Sequence, residues 1–363
     1  MTEQRRVALV FGGRSAEHRV SVQSARTVAS ALADAGFEVL PVAVSQAGRW
    51  VSEAASRAAL VADDEIPHDV ESQVSVMASV GQRIGELGRV DAFFPIVHGT
   101  WGEDGTLQGL FEMLDVPYVG TDVTASAVCM DKVLCKGVLQ AAGLPVVPWE
   151  TVTRSAWTAD TSAVEARCAA LGVPAFVKPA VGGSSVGVRK VSVPEDLKAA
   201  IVNGLRFDDK VLVEQGIVGR ELECSVLGHG TIEVSEVGEI VPGEEFYDYR
   251  DKYLDDGAEL IHHADLPEDV ESEIRRLAVS AFEAVGGSGM ARVDFLLDDE
   301  GPKINELNTL PGFTSISMYP KLWQRVGVPV ADLVTRLVDA AEQRHADRQR
   351  RDEGIKDWIA SLG

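Results

Sequence analysis

The chain has 363 residues, enough for two or three domains each with its own core, and it carries a formal net charge of −22 with a pI near 4.7. That acidity excludes the basic surfaces that hold nucleic acid or anionic membrane, so neither partner is expected, and an anionic nucleotide would need locally placed Lys, Arg and backbone amides. Cys129, Cys135, Cys168 and Cys224 show no CxxC pair and no zinc-like spacing with the seven histidines, and the apolar run after MTEQRR is too short for a signal peptide or a membrane span; free thiols and a cytoplasmic location are expected.

VALVFGG (7–13) is a continuous apolar run ending in glycines, the pattern of a parallel strand buried on both faces. Ser21 is placed to cap a following helix whose apolar residues Val22, Ala25, Val28, Ala29 and Leu32 recur at helical spacing, with Gly36 placed to end it. FEVLPVAVS then adds a second strand. Such a βαβ unit gathers ligands at the carboxyl ends of its strands, where Glu17 and His18 lie, although one Glu in a loop is by itself only a solvated side chain. One helix is expected near 71–87. VDAFFPIVHG (90–99) is a further buried strand running into HGTWGEDG (98–105), whose three glycines with Glu103 and Asp104 suit a tight loop before the helix TLQGLFEML. His98 is as well placed for structure as for function. YVG (118–120) closes the first domain.

From Thr121 to Gly143 one long helical stretch carries Lys132 and Lys136 a turn apart, weak evidence on their own because surface lysines are usually solvated. VPAFVKPA (173–180) is a strand ending in Lys178, followed by VGGSSVG (181–187). Its glycines let the backbone approach an anion, and Ser184 and Ser185 add donors; the loop lacks the GxxxxGK[ST] of a P-loop, and the preceding lysine is what raises the signal. Glu214 at the end of KVLVEQGI could accept from an adenine amino group or a ribose hydroxyl. GRELECSVLG and TIEVSEVGEI read as antiparallel strands with Glu221 near their crossing. The aperiodic segment 241–259, VPGEEFYDYRDKYLDDGAE, is expected to be a functional lid, since three tyrosines and a Phe argue against disorder.

ARVDFLL, the turn DDEGP and KINEL read as a β-hairpin. With the turn centred on Glu300, Asp294 faces Glu306 and Arg292 faces Asn308, all on one face. Two opposed carboxylates destabilise a sheet unless something positive lies between them, and a hard divalent cation with phosphate oxygens nearby suits that arrangement. The plainer alternative is a solvated polar edge. ADLVTRLVDAAEQ is expected to form a last helix before a charged tail (346–363).

In order along nearly the whole chain, GGRSAEHRVS, HGTWGEDG, VKPAVGGSSVG, VLVEQ with GRELE, EEFYDYRDKY, and ARVDF followed by NELNTLPGFTSISMYP resemble the D-alanine:D-alanine ligases, which are ATP-grasp enzymes. The resemblance implies an α/β chain of three domains, α+β in its ATP-binding part. A Rossmann-like parallel sheet (1–120) would be followed by two domains sandwiching ATP (121–214 and 215–345). It further implies ATP and two Mg2+ ions, with Mn2+ as a substitute, D-alanine as substrate and a homodimer. Carried over by position, Lys132, Lys178, Gly183, Ser184, Ser185, Glu214 and Glu221 would bind ATP, and Asp294, Glu306 and Asn308 would bind metal. Glu17, Ser184, Tyr253, Arg292 and Gly312 would be catalytic, and His98, Lys252 and Ser317 would hold substrate. Departures from the family pattern are His262 and His263, taken as solvated loop residues, and Arg19. Rival readings are a ligase joining D-alanine to D-lactate or D-serine and an inactive ATP-grasp regulatory protein; the lid with Tyr253, and the presence of Arg292, Asp294, Glu306 and Asn308, speak against them.

Overall fold

In the computed structural model, which describes residues 4–61, 66, 74–241 and 259–362, the first apolar run forms β1 (Arg6–Gly12) at the centre of a three-stranded parallel sheet. Its neighbours are β2 (Glu38–Val44) and β3 (Ala92–Pro95). Val7, Leu9 and Phe11 pack into one core, and Ala8 and Val10 into another on the opposite face, which is why the run is apolar at every position rather than at alternate ones. Helix α1 (His18–Asp34) follows β1, and its end matches expectation. The Phe37 N–H donates to Leu32 O at 2.9 Å and the Gly36 N–H to Ala33 O at 3.0 Å, with Gly36 at a φ of +85°. Its start does not match. Glu17 precedes the first turn, so Ser21 lies inside the helix, where its hydroxyl donates to Ile96 O (2.5 Å) and accepts from Gly12 N–H (2.7 Å). Ser21 ties the helix to the strand ends instead of capping it. Helices α2 (Glu53–Val61), α3 (Val76–Leu87) and α4 (Thr106–Met113) complete this part of the chain.

The long helix expected over 121–143 is two, α5 (Val123–Met130) and α6 (Lys132–Ala141), broken at Asp131. The Asp131 backbone is extended, and its carboxylate accepts from the N–H groups of Val133 and Leu134 at 3.1 Å each, so it caps α6. A four-stranded antiparallel sheet follows, ordered β4–β7–β5–β6, from β4 (Trp149–Thr153), β5 (Ala175–Pro179), β6 (Arg189–Val191) and β7 (Lys210–Gln215). It is flanked by α7 (Arg154–Ala159), α8 (Thr161–Ala169) and α9 (Leu197–Gly204). A five-stranded antiparallel sheet, ordered β10–β9–β8–β11–β12, contains β8 (Arg220–His229), β9 (Thr231–Val241), β10 (Glu259–Ile261), β11 (Gly289–Asp298) and β12 (Gly301–Asn308). Helix α10 (Glu268–Ala284) buries Ile274, Leu277, Ala278, Ala281 and Phe282 against this sheet.

After α11 (Met318–Arg325), the last helix α12 runs from Val330 to Ser361, so the charged tail expected over 346–363 is helical as far as 361. Leu333, Val334, Leu337 and Val338 of α12 share the core of Val7, Leu9 and Phe11. The end of the chain therefore closes the first domain, each of these side chains contributing roughly 1.5–3 kcal/mol by burial. Among the described residues no helix is long and apolar enough to cross a membrane, and all four cysteines are buried and free.

Candidate active site

A cleft of about 900 Å³ opens between the two antiparallel sheets and the carboxyl ends of the parallel strands. Every described residue that the family resemblance assigns to ATP, metal, substrate or catalysis lines it: Glu17, His98, Lys132, Lys178, Gly183, Ser184, Ser185, Glu214, Glu221, Arg292, Asp294, Glu306, Asn308, Gly312 and Ser317. Lys252, Tyr253 and all but the ends of the expected lid lie outside the described residues.

At one end stands a cationic cluster. Lys132 follows the Asp131 cap; its N–H donates to Ala180 O (2.9 Å) and its Nζ to Gly182 O (2.7 Å), so α6 grips the glycine-serine loop. Ser184 and Ser185 in that loop adopt φ values of +51° and +57°, consecutive left-handed residues that only a constrained loop holds. Lys178 pairs with Glu214, whose other carboxylate oxygen is 2.6 Å from Lys136 Nζ. Lys136 and Glu214 are each only 2 % exposed, so Lys136 is a buried ion-pair partner rather than a solvated surface lysine. Burial alone would push the Glu214 carboxyl up, but Lys136 and Lys178 hold it below the usual range, while burial pulls Lys136 down against the attraction of Glu214. The Glu214 carboxylate is thus already engaged, and any contact with a nucleotide base is shared with this pair.

The hairpin has the register read from the sequence: Asp294 opposite Glu306 and Arg292 opposite Asn308. The turn is nevertheless half a residue off centre. Asp298 pairs with Gly301 across Asp299 and Glu300, and a bulge opposite the Asp294/Phe295 step restores the expected pairing further along. That bulge leaves Asn305 as the extra residue, its Oδ1 3.4 Å from Lys178 Nζ. Positive groups already offset the facing carboxylates. Arg292 donates bidentately to Asp294, Nε to Oδ1 and a terminal N–H to Oδ2, both at 2.7 Å, and Lys132 Nζ lies 3.7 Å from Glu306. Asn308 Nδ2 donates to Asp294 Oδ2 at 2.9 Å, which leaves the amide oxygen of Asn308 for another partner. Among the described residues no three His, Cys, Asp or Glu side chains form a metal cage. Two carboxylates and an amide oxygen beside a phosphate-sized space still fit Mg2+, which takes few protein ligands and completes its shell with water and phosphate oxygens.

At the other end, Ser184 donates to Glu17 Oε1 at 2.5 Å, joining the loop to the N-terminal domain. A Cβ on Gly183 or on Gly99 would lie 2.7 or 2.6 Å from Glu17 Oε2, so both glycines leave room for the Glu17 carboxylate where it stands. His98 is buried between three segments. Its Nδ1 faces Leu310 O at 2.9 Å and must carry the proton, because a carbonyl only accepts; Nε2 then accepts from Ser24, which itself accepts the Phe313 N–H at 3.1 Å. Burial lowers the His98 pKa, Glu17 working against it, and the neutral ring pins residues 310–313 around Gly312. Thr314 N–H donates to Ser317 Oγ at 3.0 Å, and Gly312 leaves room for it: a Cβ there would stand 2.8 Å from that oxygen.

Glu103, read from the sequence only as part of a tight loop, accepts from Gly99 N–H (2.6 Å) and Leu310 N–H (3.0 Å). Burial and the nearby Glu17 nevertheless push its carboxyl up to about 8. A carboxyl raised on folding contributes stability that is fully present below the unfolded value of 4.5 and lost as pH climbs to about 8. The ligand-free protein is therefore expected to lose melting temperature over that window relative to Glu103→Gln, which cannot titrate. Parallel melting curves across pH 4.5–8 would remove Glu103 as the cause.

Residues 138–339 match the family model for the D-ala D-ala ligase C-terminus, and residues 6–121 match that for its N-terminus. The chain is 47 % identical to D-alanine--D-alanine ligase A of Chromobacterium violaceum, covering 96 % of this chain and 97 % of that one. Among solved structures it is similar to the D-alanine-D-alanine ligase of Coxiella burnetii, with a TM-score of 0.82 and 35 % identity over 97 % of this chain and 99 % of that one. It is also similar to a D-Ala:D-Ser ligase of Enterococcus faecalis, with a TM-score of 0.78 and 32 % identity over 93 % of this chain and all of that one. The parallel sheet, the two antiparallel sheets and the cleft between them make up an ATP-grasp fold, and the chain belongs to the D-alanine:D-alanine ligase family.

Proposed function

We propose that this chain joins two D-alanine molecules into D-alanyl-D-alanine at the expense of ATP, as a step of peptidoglycan precursor synthesis. A carboxylate does not react with an amine unaided. The γ-phosphoryl group of ATP is first transferred to a carboxylate oxygen of one D-alanine, giving ADP and an acylphosphate. The amine of the second D-alanine, having lost a proton from its ammonium form, then attacks the acyl carbon, and phosphate leaves as the C–O bond breaks.

The observation that supports this best is the Ser184–Glu17 hydrogen bond, because it joins a phosphate-type loop to an anionic pocket wall in one cleft. Lys132, Lys178, Gly183, Ser184 and Ser185 hold the phosphates, with Glu214 and Glu221 toward the nucleoside. Glu17 holds the ammonium of the first substrate. His98 and Ser317 shape the place of the second; by resemblance to the family, Lys252 would also meet its carboxylate and Tyr253 would close over both. Arg292 and the Gly312 N–H face the oxyanion that forms at the acyl carbon. Asp294, Glu306 and Asn308 would hold Mg2+, two ions in all, or Mn2+ in its place, and the metal supplies charge neutralisation at the transferring phosphoryl group. An ATP-using site and four unpaired thiols suit the cytoplasm.

D-Serine as second substrate is the alternative with support, from the similarity to the Enterococcus ligase and because an apolar pocket rejects an added hydroxyl only about 100-fold. Phosphate release with ATP, Mg2+ and a panel of D-amino and D-hydroxy acids, with products weighed by mass spectrometry, separates these cases. D-Alanyl-D-alanine is the expected main product; no turnover with D-alanine would sink the proposal. The assembly is proposed to be a homodimer, for which sedimentation at twice 38.9 kDa is the check.

A further inference from the structure

The site contains a carboxylate that the reaction sketched above does not use. Strand β8 pairs with β11 so that Glu223 stands opposite Asp294, which itself stands opposite Glu306 on β12. Three carboxylates therefore lie in one row across three strands. The side chain of Glu223 is only 5 % exposed, yet it sits among like charges, so it needs a cation of its own. That cation is Arg292: its Nε lies 3.1 Å from Glu223 Oε1 and 2.7 Å from Asp294 Oδ1. Arg292 is thus held from two strands at once.

This matters because Asp294 is asked to do two things. Both its oxygens accept N–H bonds from Arg292, Oδ2 also accepts from Asn308, and the same carboxylate belongs to the donor set suited to a divalent cation. Two cations compete for one carboxylate. If Asp294 were the only anchor of Arg292, metal loading would loosen the guanidinium just when an oxyanion must be met, and a group displaced by about 1 Å can lose roughly 100-fold in rate. We propose that Glu223 is a positioning residue that keeps Arg292 aimed into the cleft while Asp294 serves the metal. Resting on the ligase reading, the inference assigns Glu223 to the order in which charges are shared: Glu223 with Arg292, Asp294 with the cation. Alternation along β8 puts Glu221 and Glu223 on one face, and the cross-strand register shows that Glu223, not Glu221, faces Asp294.

The test uses Glu223→Gln, which keeps shape and loses charge, and Glu223→Asp, which keeps charge and shortens reach. Two readouts are compared with those of the natural protein: Mn2+ binding followed by electron paramagnetic resonance with a non-transferable ATP analogue, and kcat against KM with D-alanine. Glu223→Gln should weaken Mn2+ binding about tenfold, as Arg292 falls back on Asp294, and lower kcat by ~10–100-fold with KM for ATP within about threefold. Glu223→Asp should recover part of both. In an Arg292→Met background, Glu223→Gln should alter Mn2+ binding by less than about twofold, since its route of action is gone. An equal Mn2+ loss in both backgrounds, or a kcat unchanged by Glu223→Gln, overturns the inference. The Mn2+ readout needs no turnover, so it stands apart from the substrate panel that tests the ligase reading itself.

Discussion

Arg292→Met is expected to lower kcat about 100- to 1,000-fold while leaving KM for ATP within a few-fold, the signature of a group that acts mainly in the transition state. The guanidinium lies across the cleft floor, 21 % exposed, fixed by Asp294 and Glu223. A cation so fixed costs no reorganisation when the acyl carbon becomes tetrahedral and its oxygen becomes negative. Arg292→Lys keeps the charge but not the planar fork that fits Asp294 bidentately, so it should recover only part of the loss. Because Met also leaves two poorly solvated carboxylates facing each other, the melting temperature must be measured alongside steady-state kinetics. A rise in KM with kcat intact would mean that Arg292 binds ground-state substrate instead.

Lys136→Met should produce the largest loss of stability of any single change at the site, about 3 kcal/mol, because it leaves Glu214 ionised and almost fully buried. For a chain of 363 residues that corresponds to roughly 4 °C in melting temperature, measured by calorimetry without nucleotide. Lys178 also touches Glu214, and among the described residues it is the cation placed to blunt the effect. A loss below about 1 kcal/mol would show that Lys178 alone neutralises Glu214 and that Lys136 is surplus. The same triad bears on function. With burial opposed by Glu214 and Glu306, Lys178 stays firmly protonated, as a phosphate-binding lysine must.

Much of this site is legible in the sequence, and the parts that are not have specific causes. The pairing of Asp294 with Glu306 followed from alternation and from turn residues, both local properties. The bulge at Asn305 also left a mark that alternation alone misses: Ile304 and Leu307, both buried, are three residues apart where a regular strand face would place them two or four apart. The break at Asp131 was hidden by apolar residues that keep helical spacing across it, although an Asp directly before Lys132 is a capping signal. Lys136 looked like half of a solvated pair, since nothing in DKVLCK says that Glu214, far along the chain, will arrive beside it. Ser21 and Ser24 are of the same kind. Their partners, Ile96 and His98, come from another strand and its loop, and long-range pairing of single polar groups carries no periodicity to read. Lys252 and Tyr253 remain assigned by resemblance, outside the described residues.

The central claim, that one cleft activates a carboxylate by phosphorylation before the amine attacks, is tested most directly with D-alanine carrying 18O in its carboxylate. In the acylphosphate route a labelled oxygen bridges to phosphorus and leaves with it. One 18O atom should appear in inorganic phosphate for each D-alanyl-D-alanine formed. Dipeptide accompanied by unlabelled phosphate would contradict it.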